Sequence, residues 1–232
     1  MTMYMTPKLH ICRVLSMRRI ATGGPLNWLN EKSRCNSRAN SVPIMSLLEA
    51  HPTDDPEVLK RCIEDHAFIE CECGIKSRGP IEKFALSLFE AQFTPLALDW
   101  KKKHGTFSYD ECLKFQHALF CEAPIRGRLF EMKSRCIVEC LLKERYPTVK
   151  TRKATVHEDL DLGVDYIAYV PPAVNILVGV QVKPHSAMSM KNVLKMHTEK
   201  HKKCTFPVFF HVYHPNGAFD DIDGFDEHKL NI

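Results

Sequence analysis

The spacing of hydrophobic residues changes near the middle of the chain. Before about residue 150, apolar residues recur every three or four positions, which predicts amphipathic helices. After it, short runs rich in valine, isoleucine, threonine and aromatic residues predict strands. The predicted helices cover about 56–70, from 80 onward, 109–121 and 126–145, and the predicted strands cover 151–157, 164–170, 176–183 and 206–213.

The C-terminal half also contains a basic amphipathic segment over 188–202, which predicts a helix between the last two strands. The resulting order is helix, strand, strand, strand, helix, strand. We therefore expect a mixed α/β (α+β) fold with an α-β-β-β-α-β core over 126–232. A mainly helical region over 1–125 precedes it.

The long helix predicted over 126–145 has an apolar stripe that we expect to face the core. The Tyr146-Pro147 step ends it, because a residue before proline is pushed out of the helical region. The residues expected to point inward are Leu129, Phe130, Cys136, Ile137, Cys140 and Leu141.

Composition indicates an ordinary globular protein. The chain has 232 residues, of which 44% are hydrophobic and 26% charged, and its net charge of +4 permits a polyanionic partner without implying one. None of the ten cysteines has C-x-x-C spacing, and Cys71 and Cys73 have no second ligand pair nearby in the sequence. With no signal-peptide pattern and no run near ~18 apolar residues, we expect reduced thiols, a cytoplasmic location and no membrane span.

Charge is unevenly distributed along the chain. Residues 1–30 contain no acidic residue, and their composition fits a transit peptide, a basic arm for nucleic acid or a poorly ordered start. Residues 31–42 are polar and predict a loop, and residues 217–232 form an acidic tail.

One constellation stands out for its chemistry. Asp165 lies near the start of one predicted strand, and Gln181-Val182-Lys183 ends the next. Residues 181 and 183 share a face because strand side chains alternate. Charged groups beside an apolar strand are costly unless they have partners. Additional acidic residues come from the helix and loop before these strands: Glu131, Glu158, Asp159 and Asp161.

These residue types suit a Mg²⁺ site for phosphodiester cleavage, because Mg²⁺ takes oxygen ligands. Asp165 offers a carboxylate, Gln181 a side-chain carbonyl and Val182 a backbone carbonyl, and Glu131 reaches the site directly or through water. Lys183 would position the attacking water and offset negative charge in the transition state.

The same residues resemble a known family. Gly127-Arg-Leu-Phe-Glu131, Leu160-Asp-Leu-Gly-Val-Asp165 and Gly179-Val-Gln-Val-Lys-Pro184, in an α-β-β-β-α-β order, are similar to the PD-(D/E)xK nuclease superfamily, whose largest group is the type II restriction endonucleases. The resemblance covers about 126–213. Within it, residues 154–184 are similar to the MjaI-like restriction enzymes.

The resemblance implies a site-specific endonuclease that hydrolyses double-stranded DNA with Mg²⁺, or Mn²⁺ in its place, and acts as a homodimer in a restriction system. By position, Asp165 is the metal-binding aspartate, Lys183 the lysine and Glu131 the helix acid. Gln181 occupies the Asp/Glu position and removes one negative charge there. An inactive DNA-binding protein on the same fold and a structure-specific resolvase or repair nuclease therefore remain alternatives.

The helix predicted over 188–202 is the main candidate for contact with DNA phosphates, against the alternative of a solvated helix face. Its basic residues, with the one that follows, are Lys191, Lys195, Lys200, Lys202 and Lys203. His197 and His201 are one helical turn apart, as in the zinc-protease motif H-E-x-x-H. That motif requires glutamate directly after the first histidine, whereas here Glu199 lies midway between the two. We expect these histidines to be solvated or to contact phosphate, and the alternative is a structural zinc site to which His185, His211 and His214 could add ligands. No P-loop or G-x-S-x-G motif is present in the sequence.

Overall fold

The computed structural model describes residues 24–33, 42–172, 175–188 and 191–220. The basic segment up to residue 23, most of the predicted loop over 31–42 and most of the acidic tail lie outside the described residues. The chain divides into two compact units, Met1–Gly127 and Arg128–Ile232. Among the described residues, none of the helices has the length and apolar character needed to cross a membrane.

The first unit is helical in its described part. Two of its helices begin at side-chain caps: Asp55 accepts a hydrogen bond from the N–H of Glu57, and Ser108 forms a reciprocal capping box with Glu111. A short 3₁₀ turn (Pro95–Ala97) and a π-helical turn (Ala118–Glu122) join neighbouring helices. The helices are α1 (Pro25–Lys32), α2 (Ile44–Ala50), α3 (Pro56–Phe68), α4 (Ile81–Ala91), α5 (Leu98–His104) and α6 (Tyr109–His117).

The core of this unit is apolar, as the helical spacing predicted. The apolar stripe of α4 is buried at Ile81, Phe84, Ala85 and Leu88, which confirms the prediction for that helix. Leu88 joins one cluster with other buried side chains from four elements, namely Leu29, Ala97, Trp100, Cys112 and Phe115. Burial of such residues is the main source of stability in a packed core.

The second unit is a four-stranded sheet with helices. It begins within α7 (Ala123–Lys143), and the rest of its elements are β1 (Lys150–Lys153), α8 (Val156–Leu160), β2 (Tyr166–Val170), β3 (Asn175–Pro184), α9 (His185–Met188), α10 (Lys191–His201) and β4 (Val208–Tyr213). The strands lie in the order β1-β2-β3-β4. The mixed helix-and-sheet class predicted from the sequence is confirmed.

The sheet is antiparallel except at one edge. β1 pairs with β2 and β2 with β3 in antiparallel register, with Tyr166 opposite Val180. β4 runs parallel to β3, with Phe210 opposite Gln181. β3 has a neighbouring strand on each side and contains the continuous apolar run of the sequence. Its residues Leu177, Val178 and Val180 are buried, as expected for an interior strand.

The buried face of α7 differs from the predicted one. From residue 128 onward the buried residues of α7 are Phe130, Ser134, Val138 and Leu142, of which Phe130 was predicted. Cys136, Cys140 and Leu141 are exposed, and Leu129 and Ile137 are half-buried. The cause is Ser134, whose hydroxyl bonds the Tyr166 hydroxyl at 2.7 Å and also His211 Nδ1. Because Ser134 is polar, the buried face of α7 has an interrupted apolar pattern. The neighbouring face with Cys136 and Cys140 has the stronger hydrophobic pattern in the sequence, although it is exposed.

A short helix replaces the end of a predicted strand and the loop after it. β1 ends at Lys153, and α8 begins after Thr155, which forms a capping box with Glu158. The side chain of Glu158 also makes two hydrogen bonds to the guanidinium of Arg152, at 2.7 and 2.8 Å. The T-x-x-E pattern at these positions is an N-terminal helix signal in the sequence.

Candidate functional site

Asp165 is fixed by backbone hydrogen bonds at the start of β2. Its N–H donates to the carbonyl of Val180 at 2.9 Å, and its own carbonyl accepts from Ala154 N–H at 3.1 Å. The β2–β3 pairing begins at Tyr166 and Val180, so Asp165, the residue before Tyr166, lies beside the segment that follows Val180 on β3. Neighbouring strands therefore bring together the aspartate and the Gln-x-Lys segment that are separate in the sequence.

The Asp165 carboxylate is oriented by the next strand. Its Oδ2 accepts a hydrogen bond from the backbone N–H of Val182 at 2.6 Å. In a strand, the N–H and C=O of one residue point toward the same edge. The Val182 carbonyl proposed as a ligand consequently faces the same side of β3 as Asp165.

Gln181 is a buried polar residue with an unsatisfied acceptor. Only 2% of the residue is exposed, and its Oε1 has no hydrogen-bond partner within the described ranges. A buried amide oxygen left without a donor or a cation costs about 1–3 kcal/mol. The environment of Gln181 is therefore suited to a group that this oxygen can bind.

Two carboxylates of the site are electrostatically coupled. The pKa of Glu131 is raised to about 7, mainly by burial and additionally by the negative charge of Asp165. Burial also raises the pKa of Asp165, while Lys183 and the Val182 N–H act in the opposite direction. A half-buried carboxylate whose ionisation is disfavoured by a second carboxylate marks a place where a cation is stabilising.

Asp159, on α8, is a further carboxylate near this pair. Its charge raises the pKa of both Glu131 and Asp165. The other two acidic residues of this segment have different partners, since Glu158 pairs with Arg152 and Asp161 with the imidazole of His157. The sequence offered three acidic residues here without a means of choosing among them, and the capping role of Glu158 makes the choice.

Lys183 is half-buried at the end of β3, on the same face of the strand as Gln181. Its charge lowers the pKa of Asp165 and contributes to lowering that of His197. The ammonium group therefore acts on the Asp165 side of the sheet and on α10. This is the position in which a cation can assist chemistry at the carboxylate without occupying it.

Helix α10 packs closely over Gly163, which precedes the site. Gly163 has a φ of 71°, and a Cβ added there would lie 3.2 Å from His197 Nδ1 and 3.4 Å from Gln181 Nε2. The Gly163 carbonyl lies 3.3 Å from His201 Nε2. Because a carbonyl oxygen only accepts, Nε2 carries the proton and donates it to this hydrogen bond. Only glycine fits both the backbone conformation and the space.

The two α10 histidines are partly enclosed, which differs from the expectation that they are fully solvated. Both are half-buried, their rings contact Phe210, and His197 Nδ1 is enclosed. Burial lowers the pKa of His197 to about 4 and also lowers that of His201, so both are neutral at pH 7. The reason is that the face of α10 carrying them lies against the sheet face that bears Gln181.

The predicted phosphate-contacting lysines divide into two groups. Lys191, Lys195 and Lys203 are exposed. Lys202 is also exposed and pairs with Glu199 at 2.7 Å. Lys200 instead donates to the Leu160 carbonyl and so ties α10 to the end of α8. Four of the five remain placed for contact with a polyanion, and Lys200 has a positioning role in the fold.

The donor set at the end of β2 and β3 fits a hard divalent cation, because carboxylate and carbonyl oxygens are the ligands that Mg²⁺ prefers. The unsatisfied Gln181 Oε1 and the raised pKa of Glu131, caused by burial and by the charge of Asp165, both favour such an ion. None of the protein-family models, curated proteins or solved structures compared with this chain matches it. Function is therefore argued from the geometry and chemistry of the site.

Proposed function

We propose that the chain is a Mg²⁺-dependent endonuclease that cleaves double-stranded DNA at specific sites, in the manner of a type II restriction enzyme. The observation that carries the proposal is the meeting of Asp165, Gln181 and Lys183 at adjacent strand ends, with Glu131 of α7 coupled to Asp165. The order α7-β1-β2-β3-α10-β4 agrees with the core of PD-(D/E)xK nucleases.

The residues that would hold Mg²⁺ are Asp165 and Glu131 through carboxylate oxygens, Gln181 through Oε1 and Val182 through its backbone carbonyl. Bound there, the ion would polarise the scissile phosphate and lower the pKa of a coordinated water. Mn²⁺ has similar ligand preferences and would substitute.

The protein's own groups supply orientation and charge. The Val182 N–H holds one oxygen of Asp165, which leaves the other to face a ligand. The cationic side chain of Lys183 can orient the attacking water and offset the negative charge developing on the phosphate. Hydrolysis forms a P–O bond to this water and breaks the bond to the leaving sugar oxygen, which takes up a proton.

Replacement of the usual carboxylate by Gln181 leaves enough negative charge for a metal site. The charge of Asp159 raises the pKa of both Glu131 and Asp165, and the charge of Asp165 raises that of Glu131, so three carboxylates lie near one another at this site. Gln181 still offers a carbonyl oxygen. This supports an active enzyme over the alternative of a binding protein that has lost activity.

The proposed substrate and assembly follow from the same site. Exposed lysines of α10 lie on the helix that packs against the site, where they can contact DNA phosphates. Cleavage of both strands at a symmetric sequence needs two sites, which a two-fold homodimer provides. We place the enzyme in the cytoplasm, where thiols stay reduced, because its described cysteines are free.

Digestion of a plasmid of known sequence by the purified full chain tests the proposal. With Mg²⁺ or Mn²⁺ we expect discrete fragments, and with a chelator no cleavage. Cutting of branched DNA without sequence preference would instead identify a resolvase or repair nuclease. Binding to DNA without cutting of either substrate would replace the proposal with an inactive DNA-binding protein.

A further inference from the structure

Four metal-binding side chains meet in the first unit, in a place that the proposed nuclease site does not use. They are His51, His66, Cys71 and Cys73, and one donor atom from each lies within 4.8 Å of all the others. His51 directly follows α2, and His66 lies in the last turn of α3. The two cysteines lie in the loop after α3, so three separate segments of the chain converge on one point.

The distances among these donors fit a tetrahedral ion. His66 Nε2 lies 3.2 Å from Cys73 Sγ, and His51 Nε2 lies 3.7 Å from Cys71 Sγ. A tetrahedral Zn²⁺ with bonds of about 2.0–2.3 Å holds its donors roughly 3.3–3.8 Å apart. These two distances are close to that range, and the other donor pairs, which all lie within 4.8 Å, would need to close by about 1.5 Å at most to bind an ion at their centre.

The tautomer of His66 is set in the way that a ligand requires. Its Nδ1 lies 2.7 Å from the Cys62 carbonyl, and since a carbonyl only accepts, the Nδ1–H is the donor. The Nε2 lone pair is then left to face the thiols. A hydrogen bond from the second ring nitrogen to a backbone carbonyl is the common support of metal-binding histidines, because it fixes the ring and its protonation.

The loop that carries the cysteines is shaped as a tight turn. The N–H of Gly74 donates to the Cys71 carbonyl at 2.9 Å, and Gly74 has a φ of 69°. The N–H of Ser77 then returns to the His66 carbonyl at 2.9 Å. These two bonds hold Cys71 and Cys73 on one side of the turn, facing the end of α3.

We propose that His51, His66, Cys71 and Cys73 bind one Zn²⁺ as a closed structural site. Two thiolates and two imidazoles are soft and borderline ligands, which favour zinc over Mg²⁺ or Ca²⁺. All four positions of a tetrahedron are filled by protein, so the site has no open position for a substrate. Its effect is to fasten the loop after α3 to the ends of α2 and α3.

This site was missed in the sequence for a physical reason. Cys71 and Cys73 are separated by one residue rather than the two or more of common zinc motifs, and a second ligand pair near them was not expected. The side chains that complete the cluster in space are those of His51 and His66, which lie fifteen residues apart in the sequence. Their side chains meet only because the end of α2 packs beside the last turn of α3, as their ring contact at 4.8 Å shows.

Metal analysis of the full chain tests the proposal directly. Protein expressed with zinc and dialysed should retain about one zinc per chain. The double variant Cys71→Ser/Cys73→Ser should lose it. The matched control Cys62→Ser should keep it, because Cys62 contributes its backbone carbonyl rather than a ligand. A native chain without zinc, or a double variant that keeps as much as the native chain, contradicts the proposal.

Replacement of zinc by Co²⁺ gives a test that uses only the native chain, so it does not require any variant to fold. The native chain loaded with Co²⁺ should show intense visible absorption of tetrahedral cobalt together with a thiolate-to-cobalt charge-transfer band. A weak octahedral spectrum without that band would overturn the proposal. A second group of possible ligands, His185, His214 and Asp220, has no thiol and cannot produce the band. The result is also independent of Mg²⁺-dependent cleavage, so either proposal can fail alone.

Discussion

The backbone N–H of Val182 donates to Oδ2 of Asp165 at 2.6 Å, across the pairing of β2 and β3. The bond links the two strands that carry the proposed chemistry and fixes the direction in which the carboxylate points. A charged acceptor makes such a bond stronger than a neutral one. Asp165 is therefore oriented before any ion or DNA binds, which is what a metal-dependent hydrolase requires of its first ligand.

Glu131→Gln should stabilise the metal-free protein at high pH. The folded pKa of about 7 lies above the ordinary value of 4.5, so ionisation opposes folding, and the penalty grows as the pH rises from 4.5 to 7. We expect a gain of about 1–3 kcal/mol in the free energy of unfolding at pH 8 and little change at pH 4.5, measured by urea denaturation.

Glu139→Gln is the matched control on the same helix. Lys143 lowers the pKa of Glu139 through a hydrogen bond, so its ionised form favours folding. This variant should lose stability at pH 8, opposite in sign to Glu131→Gln. Equal effects of the two substitutions across the pH range would contradict the raised pKa of Glu131.

Glu158→Gln should destabilise the second unit at neutral pH. Its hydrogen bonds to Arg152, opposed by burial, lower the pKa of Glu158 to about 2, so their stabilisation is present above pH 4.5 and is lost as the pH falls toward 2. We expect a loss of about 1–2 kcal/mol at pH 7 and none at pH 2. The exposed pair of Glu199 and Lys202 provides the control, since Glu199→Gln should change stability by less than about 0.5 kcal/mol.

Gly163→Ala should be costly and should disturb the site. The positive φ strains any residue with a Cβ, and the added atom meets His197 and Gln181. We expect a loss of about 1–3 kcal/mol in unfolding free energy. Gly127→Ala, in α7 where nothing lies within 4 Å, should instead gain about 0.5–1 kcal/mol. Equal effects in thermal denaturation would argue against the close packing of α10 at Gly163.

The α10 lysines should govern the salt dependence of DNA binding. Replacing Lys191, Lys195 and Lys203 together with alanine should lower the slope of log affinity against log salt concentration by about 2–3, because each neutralised phosphate contributes ~0.9. Fluorescence anisotropy with labelled duplex DNA measures the slope. An unchanged slope would show that these exposed residues form a solvated face.

The sequence predicted the parts of the fold that local patterns control. Alternation along β2 and β3 was sufficient to bring Asp165 together with the Gln-x-Lys segment, because strand faces have a period of two. The face of α7 was predicted wrongly, since Ser134 is buried by hydrogen bonds to residues far away in the sequence. Position in the sequence also did not reveal that Asp159 is near Glu131, or that His51 and His66 meet.

Plasmid cleavage by Lys183→Ala tests the central claim most directly. Lys183 is the group we assign to transition-state charge, and its loss should lower the Mg²⁺-dependent cleavage rate by about 10²–10³-fold while the protein stays folded. Lys143→Ala, an exposed lysine paired with Glu139, is the control and should cleave at the native rate. The account predicts discrete fragments from the native chain and the control and almost none from Lys183→Ala. Undiminished cleavage by Lys183→Ala would contradict it.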